Sequence, residues 1–67
     1  MKMIKLYQKV RLKNGKNAVI VEILGNGAAY IADVEVSKDD YETETIYPSE
    51  IKSVFIEVEQ PFLYATA

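Results

Sequence analysis

Asn17-Ala18-Val19-Ile20-Val21-Glu22-Ile23-Leu24, then Gly25-Asn26-Gly27-Ala28, then Ala29-Tyr30-Ile31-Ala32-Asp33-Val34-Glu35-Val36 read in succession as strand, turn and strand. The flanking segments are rich in β-branched and aromatic residues, and the turn is built from the residue types that accept positive φ. Side chains alternate between the two faces of a strand, so a single charge sets the parity. An unpaired carboxylate belongs in water. Glu22 on the outside therefore places Val19, Val21 and Ile23 inside and turns Ile20 out. By the same rule Asp33 and Glu35 face solvent, Tyr30, Ala32, Val34 and Val36 face inward, and Ile31 points out. A four-residue loop pairs Leu24 with Ala29. Continuing that register sets Ile23 against Tyr30, Val21 against Ala32, Val19 against Val34, Glu22 against Ile31 and Ile20 against Asp33.

Working outward, a first strand falls near residues 8–12, where Val10 and Leu12 alternate with Lys9 and Arg11. Asn14-Gly15 closes it into a hairpin with the second strand at 17–24. The third strand spans 29–36 and ends in a polar loop, Ser37 to Tyr41. Glu42-Thr43-Glu44-Thr45-Ile46 is a fourth strand over 42–46, with both acids expected outside. Pro48 lacks a ladder donor, so residues 47–51 read as a short 3₁₀ turn. A fifth strand follows near 52–59, with Val54, Ile56 and Val58 on one face and Phe55, Glu57 and Glu59 on the other. Pro61 stops it and leaves an apolar tail. Five short strands predict an all-β fold, a small five-stranded SH3-like barrel over residues 1–60 with residues 61–67 as a C-terminal tail. Closure pairs strands one and five and brings Lys9 and Arg11 towards Glu57 and Glu59. The expected core is Val10, Leu12, Val19, Val21, Ile23, Tyr30, Ala32, Val34, Ile51, Val54 and Ile56.

A chain of 67 residues has room for one small core. Its 49% hydrophobic and 27% charged residues describe a folded globular chain. With no cysteine and no histidine, disulfides, thiolate sites and imidazole ligands are excluded, which leaves self-association as the available aid to a small fold. No apolar run approaches a membrane span and no secretory pattern opens the chain, so a cytoplasmic protein is expected. The net charge of −2 hides a polarity. Residues 1–17 carry six bases and no acid, while residues 18–67 carry ten acids against Lys38 and Lys52. Either the basic first strand is offset by acidic strands within the monomer, or it meets a partner or a second copy.

Leu6-Tyr7-Gln8-Lys9-Val10-Arg11-Leu12-Lys13, Gly15, Val19-Ile20-Val21-Glu22-Ile23 and Ala29-Tyr30-Ile31-Ala32-Asp33-Val34 together resemble the small bacterial SH3-like barrel domains of unknown function that share a KOW-type β-hairpin. The resemblance covers roughly residues 6–55, with Ala18 standing where that family usually carries glycine. It implies a fold and lends little to function.

No nucleophile and base pair can be assembled, since the serines have only Lys38 or Lys52 beside them, so the chain is expected not to be an enzyme. Asp39, Asp40, Glu42 and Glu44 lack the spacing of a calcium loop and read as a solvated face. Gly25-Asn26-Gly27 joins two strands and opens no helix, so it is a turn and not a phosphate cradle. No cofactor, metal or small-molecule substrate is expected. The remaining candidate is a protein-interaction patch of outward apolar residues, Ile20, Ile31 and Phe55, together with Phe62, Leu63 and Tyr64 of the tail. The tail either folds back over its own barrel or docks on another chain, with a second copy the expected partner. Lys9, Arg11, Lys13 and Lys16 form the alternative, a basic strand that tracks an RNA backbone; the acidic balance elsewhere weighs against it.

Overall fold

The computed structural model describes residues 4–55. Five strands form one antiparallel sheet: β1 (Lys9–Leu12), β2 (Asn17–Leu24), β3 (Ala29–Ser37), β4 (Asp40–Ile46) and β5 (Ile51–Val54), with a 3₁₀ turn at Pro48–Glu50 before the last. The spatial order is β4-β3-β2-β1-β5, so β2 is the central strand and β1 pairs with β5 as expected. The sheet curls into a half-barrel, and among the described residues β4 and β5 each have one strand neighbour. No helix of the described residues is long and apolar enough to cross a membrane. The expected continuation of β5 to residue 59, the core position Ile56, the contact of Lys9 and Arg11 with Glu57 and Glu59, and the tail at 61–67 all lie outside the described residues.

The β2–β3 hairpin follows the expected register for three pairs, Leu24 with Ala29, Ile23 with Tyr30 and Glu22 with Ile31. The ladder then slips, and the next pairs are Ile20 with Ala32, Val19 with Asp33 and Ala18 with Val34. Val21 is the extra residue of a β-bulge, which inverts the facing of everything before it. Ile20, expected outside, is 0% exposed, and Ala18 is buried beside it. Val19 and Val21, expected inside, are only half-buried. The parity set by Glu22 holds for Ile23 and fails beyond one bulge. The turn itself needs three consecutive left-handed residues, with φ of +55° at Gly25, +59° at Asn26 and +104° at Gly27. Two glycines carry most of that conformation without a Cβ penalty, and asparagine tolerates the third position.

The concave face holds the core: Val10, Leu12, Ala18, Ile20, Tyr30, Ala32, Val34 and Ile46, with Ile4, Ile23, Ile51 and Val54 packed at its margin. Ile51 and Val54 can both face inward although three residues apart, because the β1–β5 ladder also slips between Arg11 and Leu12. The polar loop expected at 37–41 is shorter than its composition suggests: Ser37 pairs with Asp40, leaving Lys38 and Asp39 as the turn, with Asp39 at φ +64°. β4 thereby begins two residues earlier than expected. Its acids are exposed as anticipated, yet Glu42 lies opposite Val34 and Glu44 opposite Ala32. Directly opposed residues share a face, so both carboxylates belong to the concave face, at the sheet's edge. Charges turned towards the core side of an edge strand discourage further strand pairing. Ile46, on the same face, is buried against Tyr30's side of the core and was absent from the expected list.

Backbone bonds outside the ladders tie the rest down. Lys13 N–H donates to the Glu50 carbonyl at 2.8 Å, fixing the 3₁₀ turn to the end of β1. Tyr7 N–H donates to the Ile20 carbonyl at 2.6 Å and Ile20 N–H to the Gln8 carbonyl at 3.0 Å, extending β1 back to the bulge. Replacing Ile20 with Ala should lower unfolding free energy by about 2–5 kcal/mol, whereas Val19→Ala and Val21→Ala should each cost about 1 kcal/mol or less. Urea denaturation of the three variants checks this, and a strand with unbroken alternation would give the reverse order.

Candidate functional site

The sheet has two faces that differ in chemistry, and the ladder pairs assign residues to each. On the convex face one row runs across the strands as Lys9 on β1, Val19 on β2, Asp33 on β3 and Thr43 on β4. Arg11 pairs with Asn17 and with Ser53, and Glu35 pairs with Tyr41, which continues the next row. Phe55 follows β5, and its N–H donates to the Lys9 carbonyl at 2.9 Å. The convex face therefore divides along β2. One half is basic and aromatic, the other acidic, with Val19 half-buried on the dividing strand and Ile31 half-buried on the acidic half.

Both halves are held by specific contacts. The Phe55 ring has the Lys9 ammonium 5.9 Å and the Arg11 guanidinium carbon 5.4 Å from its centroid, within cation–π range. Arg11 is oriented further by its Nε–H, which donates to Asn17 Oδ1 at 2.6 Å. On the acidic half Thr43 Oγ1 donates to Asp33 Oδ1 at 2.7 Å. A charge fixed by a short hydrogen bond has less side-chain freedom left to lose on binding.

The concave face opens at one end into a groove of about 870 Å³. Ile4, Ile23, Tyr30, Pro48, Ile51 and Val54 line it, with Gly27 and Asn26 of the β2–β3 turn at its rim. Its walls are mostly apolar, with Lys52 and Ser53 of β5 adding polar groups. Among the described residues no group of three or more acidic side chains gathers as a metal site.

Set against the expected site residues, Ile20 is removed from the outer patch, because the Val21 bulge turns it into the core. Ile31 and Phe55 stay on the convex face but lie on opposite halves of it, separated by β2 and β1. Phe62, Leu63 and Tyr64 lie outside the described residues. Lys9 and Arg11 share the convex face with Phe55, while Lys13 and Lys16 sit at the exposed β1–β2 turn. Val19, Asp33 and Glu35 are the residues of this surface that the expected patch omitted. Asp33 and Glu35 were already legible as solvent-facing; their alignment with Lys9 and Arg11 depends on the shifted register, which hydrophobic alternation does not encode. No protein-family model, no curated protein and no solved structure matches the chain.

Gly27 is where the groove's rim is least tolerant. A Cβ there would lie 3.2 Å from the Tyr30 hydroxyl, and the backbone φ of +104° disfavours any L side chain. Gly27→Ala is expected to cost about 1–3 kcal/mol, measured by thermal or urea unfolding. Gly15→Ala, whose Cβ would meet nothing within 4 Å, should cost less.

Proposed function

We propose that this chain is a non-enzymatic protein-interaction module that associates through the convex face of its sheet. The observation that carries the reading is the composition of that face: half-buried Val19 on the central strand, an Arg–aromatic cluster on one side, and half-buried Ile31 with the carboxylates of Asp33 and Glu35 on the other, Asp33 being oriented by Thr43. Arginine and aromatic residues are enriched where proteins meet, and apolar centres with charged rims are the usual anatomy of such surfaces. The second layer that would cover this face in a β-sandwich is not supplied by any described strand. Self-association also adds buried area that a core of this size lacks. The resemblance to small SH3-like barrels is compatible with a binding role and adds no partner of its own.

A second reading rests on one observation, the packing of Lys9 and Arg11 about Phe55 with Lys13 and Lys16 in the adjoining turn. Cationic side chains around an aromatic ring can track phosphates and stack a base. The net charge of −2 and the acidic half of the same face oppose it.

Sedimentation velocity from about 10 μM to 1 mM separates the readings, that range being where small interfaces associate. The native chain should rise above 7.6 kDa with concentration. Ile31→Lys, which places a cation opposite Glu22, should keep the fold and remain monomeric. A native chain that stays monomeric throughout would contradict self-association. Binding of a generic RNA near 10 mM salt would instead favour the second reading, and its absence there would eliminate it.

A further inference from the structure

From the register of the convex face, we infer that the partner is a second copy of this chain, stacked face to face about a two-fold axis running along β2. This deepens the interaction reading above and rests on it. The ladder pairs align Lys9, Val19 and Asp33 across β1, β2 and β3. One step along, Arg11 pairs with Asn17, and Asn17 precedes Ala18, whose partner Val34 precedes Glu35. The two bases on β1 and the two acids on β3 thus occupy equivalent rows, one strand to either side of the central strand.

An in-plane two-fold relating two such faces has two limiting directions. With the axis perpendicular to the strands, β1 lies over β1 of the other copy and base meets base. With the axis along β2, left and right exchange: β1 lies over β3, so Lys9 faces Asp33 and Arg11 faces Glu35, twice by symmetry, while Val19 and exposed Glu22 on β2 each meet their own copy on the axis, one like-charge contact against four of opposite sign. Isologous contacts require a self-complementary surface, and the second arrangement comes nearer to one, since the first sets the bases of β1 on bases and the acids of β3 on acids. Like charges in apposition repel, so electrostatics favours the axis along β2. The two β2 strands stay parallel to the axis, and the curl of each half-barrel carries β4 and β5 away from the other copy more than the central three strands.

The size of the contact sets its strength. Five strands about 4.8 Å apart and roughly five residues long present about 400–500 Å² per copy, below the roughly 800 Å² of a standard interface. The dimer is therefore weak and reversible, and charge has a decisive share in it. Phe55 contributes by holding Lys9 and Arg11 above the sheet, and Asn17 and Thr43 by orienting Arg11 and Asp33.

A charge-reversal cycle on the full chain tests the arrangement. Lys9→Glu with Arg11→Glu makes the face wholly acidic, and Asp33→Lys with Glu35→Lys makes it wholly basic. Each variant alone should be monomeric at concentrations where the native chain dimerises. An equimolar mixture should recover a heterodimer of about twice 7.6 kDa. A fourfold variant carrying all the reversals should dimerise as the native chain does, and its recovery shows that the substitutions themselves permit folding. Should either double variant lose its strand signal by circular dichroism, Lys9→Glu and Asp33→Lys alone complete the same cycle. Dimerisation of either reversed chain alone, or a mixture that stays monomeric, would overturn the two-fold along β2 while leaving self-association standing. A native chain that never dimerises would overturn the interaction reading as well.

Discussion

The bulge at Val21 is the constraint on which the arrangement of both faces depends. A strand of eight residues with unbroken alternation would bury Val19 and Val21 with Ile23, and Ile20 would meet solvent. Inserting one unpaired residue lets Ala18, Ile20 and Ile23 all contribute to the concave face while Glu22 keeps to the outside. The bulge also bends β2 and increases its local twist, consistent with a five-stranded sheet that curls around a core of this size. The N-terminal segment meets it there, with Tyr7 N–H bonded to the Ile20 carbonyl beside the slip. Tyr7 adopts φ +65° to make that turn while its side chain remains largely exposed.

The same slip composes the convex face. Val19 is turned outward onto the row shared by Lys9 and Asp33, so the central strand presents an apolar side chain between a base and an acid. The polarity of charge along the sequence, basic before residue 18 and acidic after it, becomes a polarity across a surface because β1 and β3 flank β2. A meander that runs from basic to acidic strands places opposite charges on opposite sides of its middle strand. The described residues thus show separation of charge over this face, held by Phe55, Asn17 and Thr43.

Much of the architecture was legible in the residues. Asn14-Gly15 and Gly25-Asn26-Gly27 marked two hairpins by their demand for positive φ, and Pro48 marked the break before the last strand. The pairing of β1 with β5 followed from the need to cover edges. What escaped was the facing of Ala18 to Val21, since Val, Ile and Val in succession are apolar in either parity and only a backbone slip decides between them. Ile46 escaped for a related reason: with Glu42 and Glu44 assigned outward, alternation carried Ile46 out too, whereas the edge position lets acids share the core face and still reach water. The candidate patch suffered most, since it joined residues by outward parity alone. Ile20 left it, and Ile31 and Phe55 proved to belong to different halves of one surface.

The convex face, and not the groove at the mouth of the concave face, is where this chain should meet its partner. Amide chemical shifts of the ¹⁵N-labelled native chain, followed on dilution from about 1 mM to 10 μM, test that most directly. The changes should concentrate at Lys9, Arg11, Val19, Asp33 and Glu35. Changes confined to Ile4, Ile23, Tyr30 and Ile51 around the groove would contradict it.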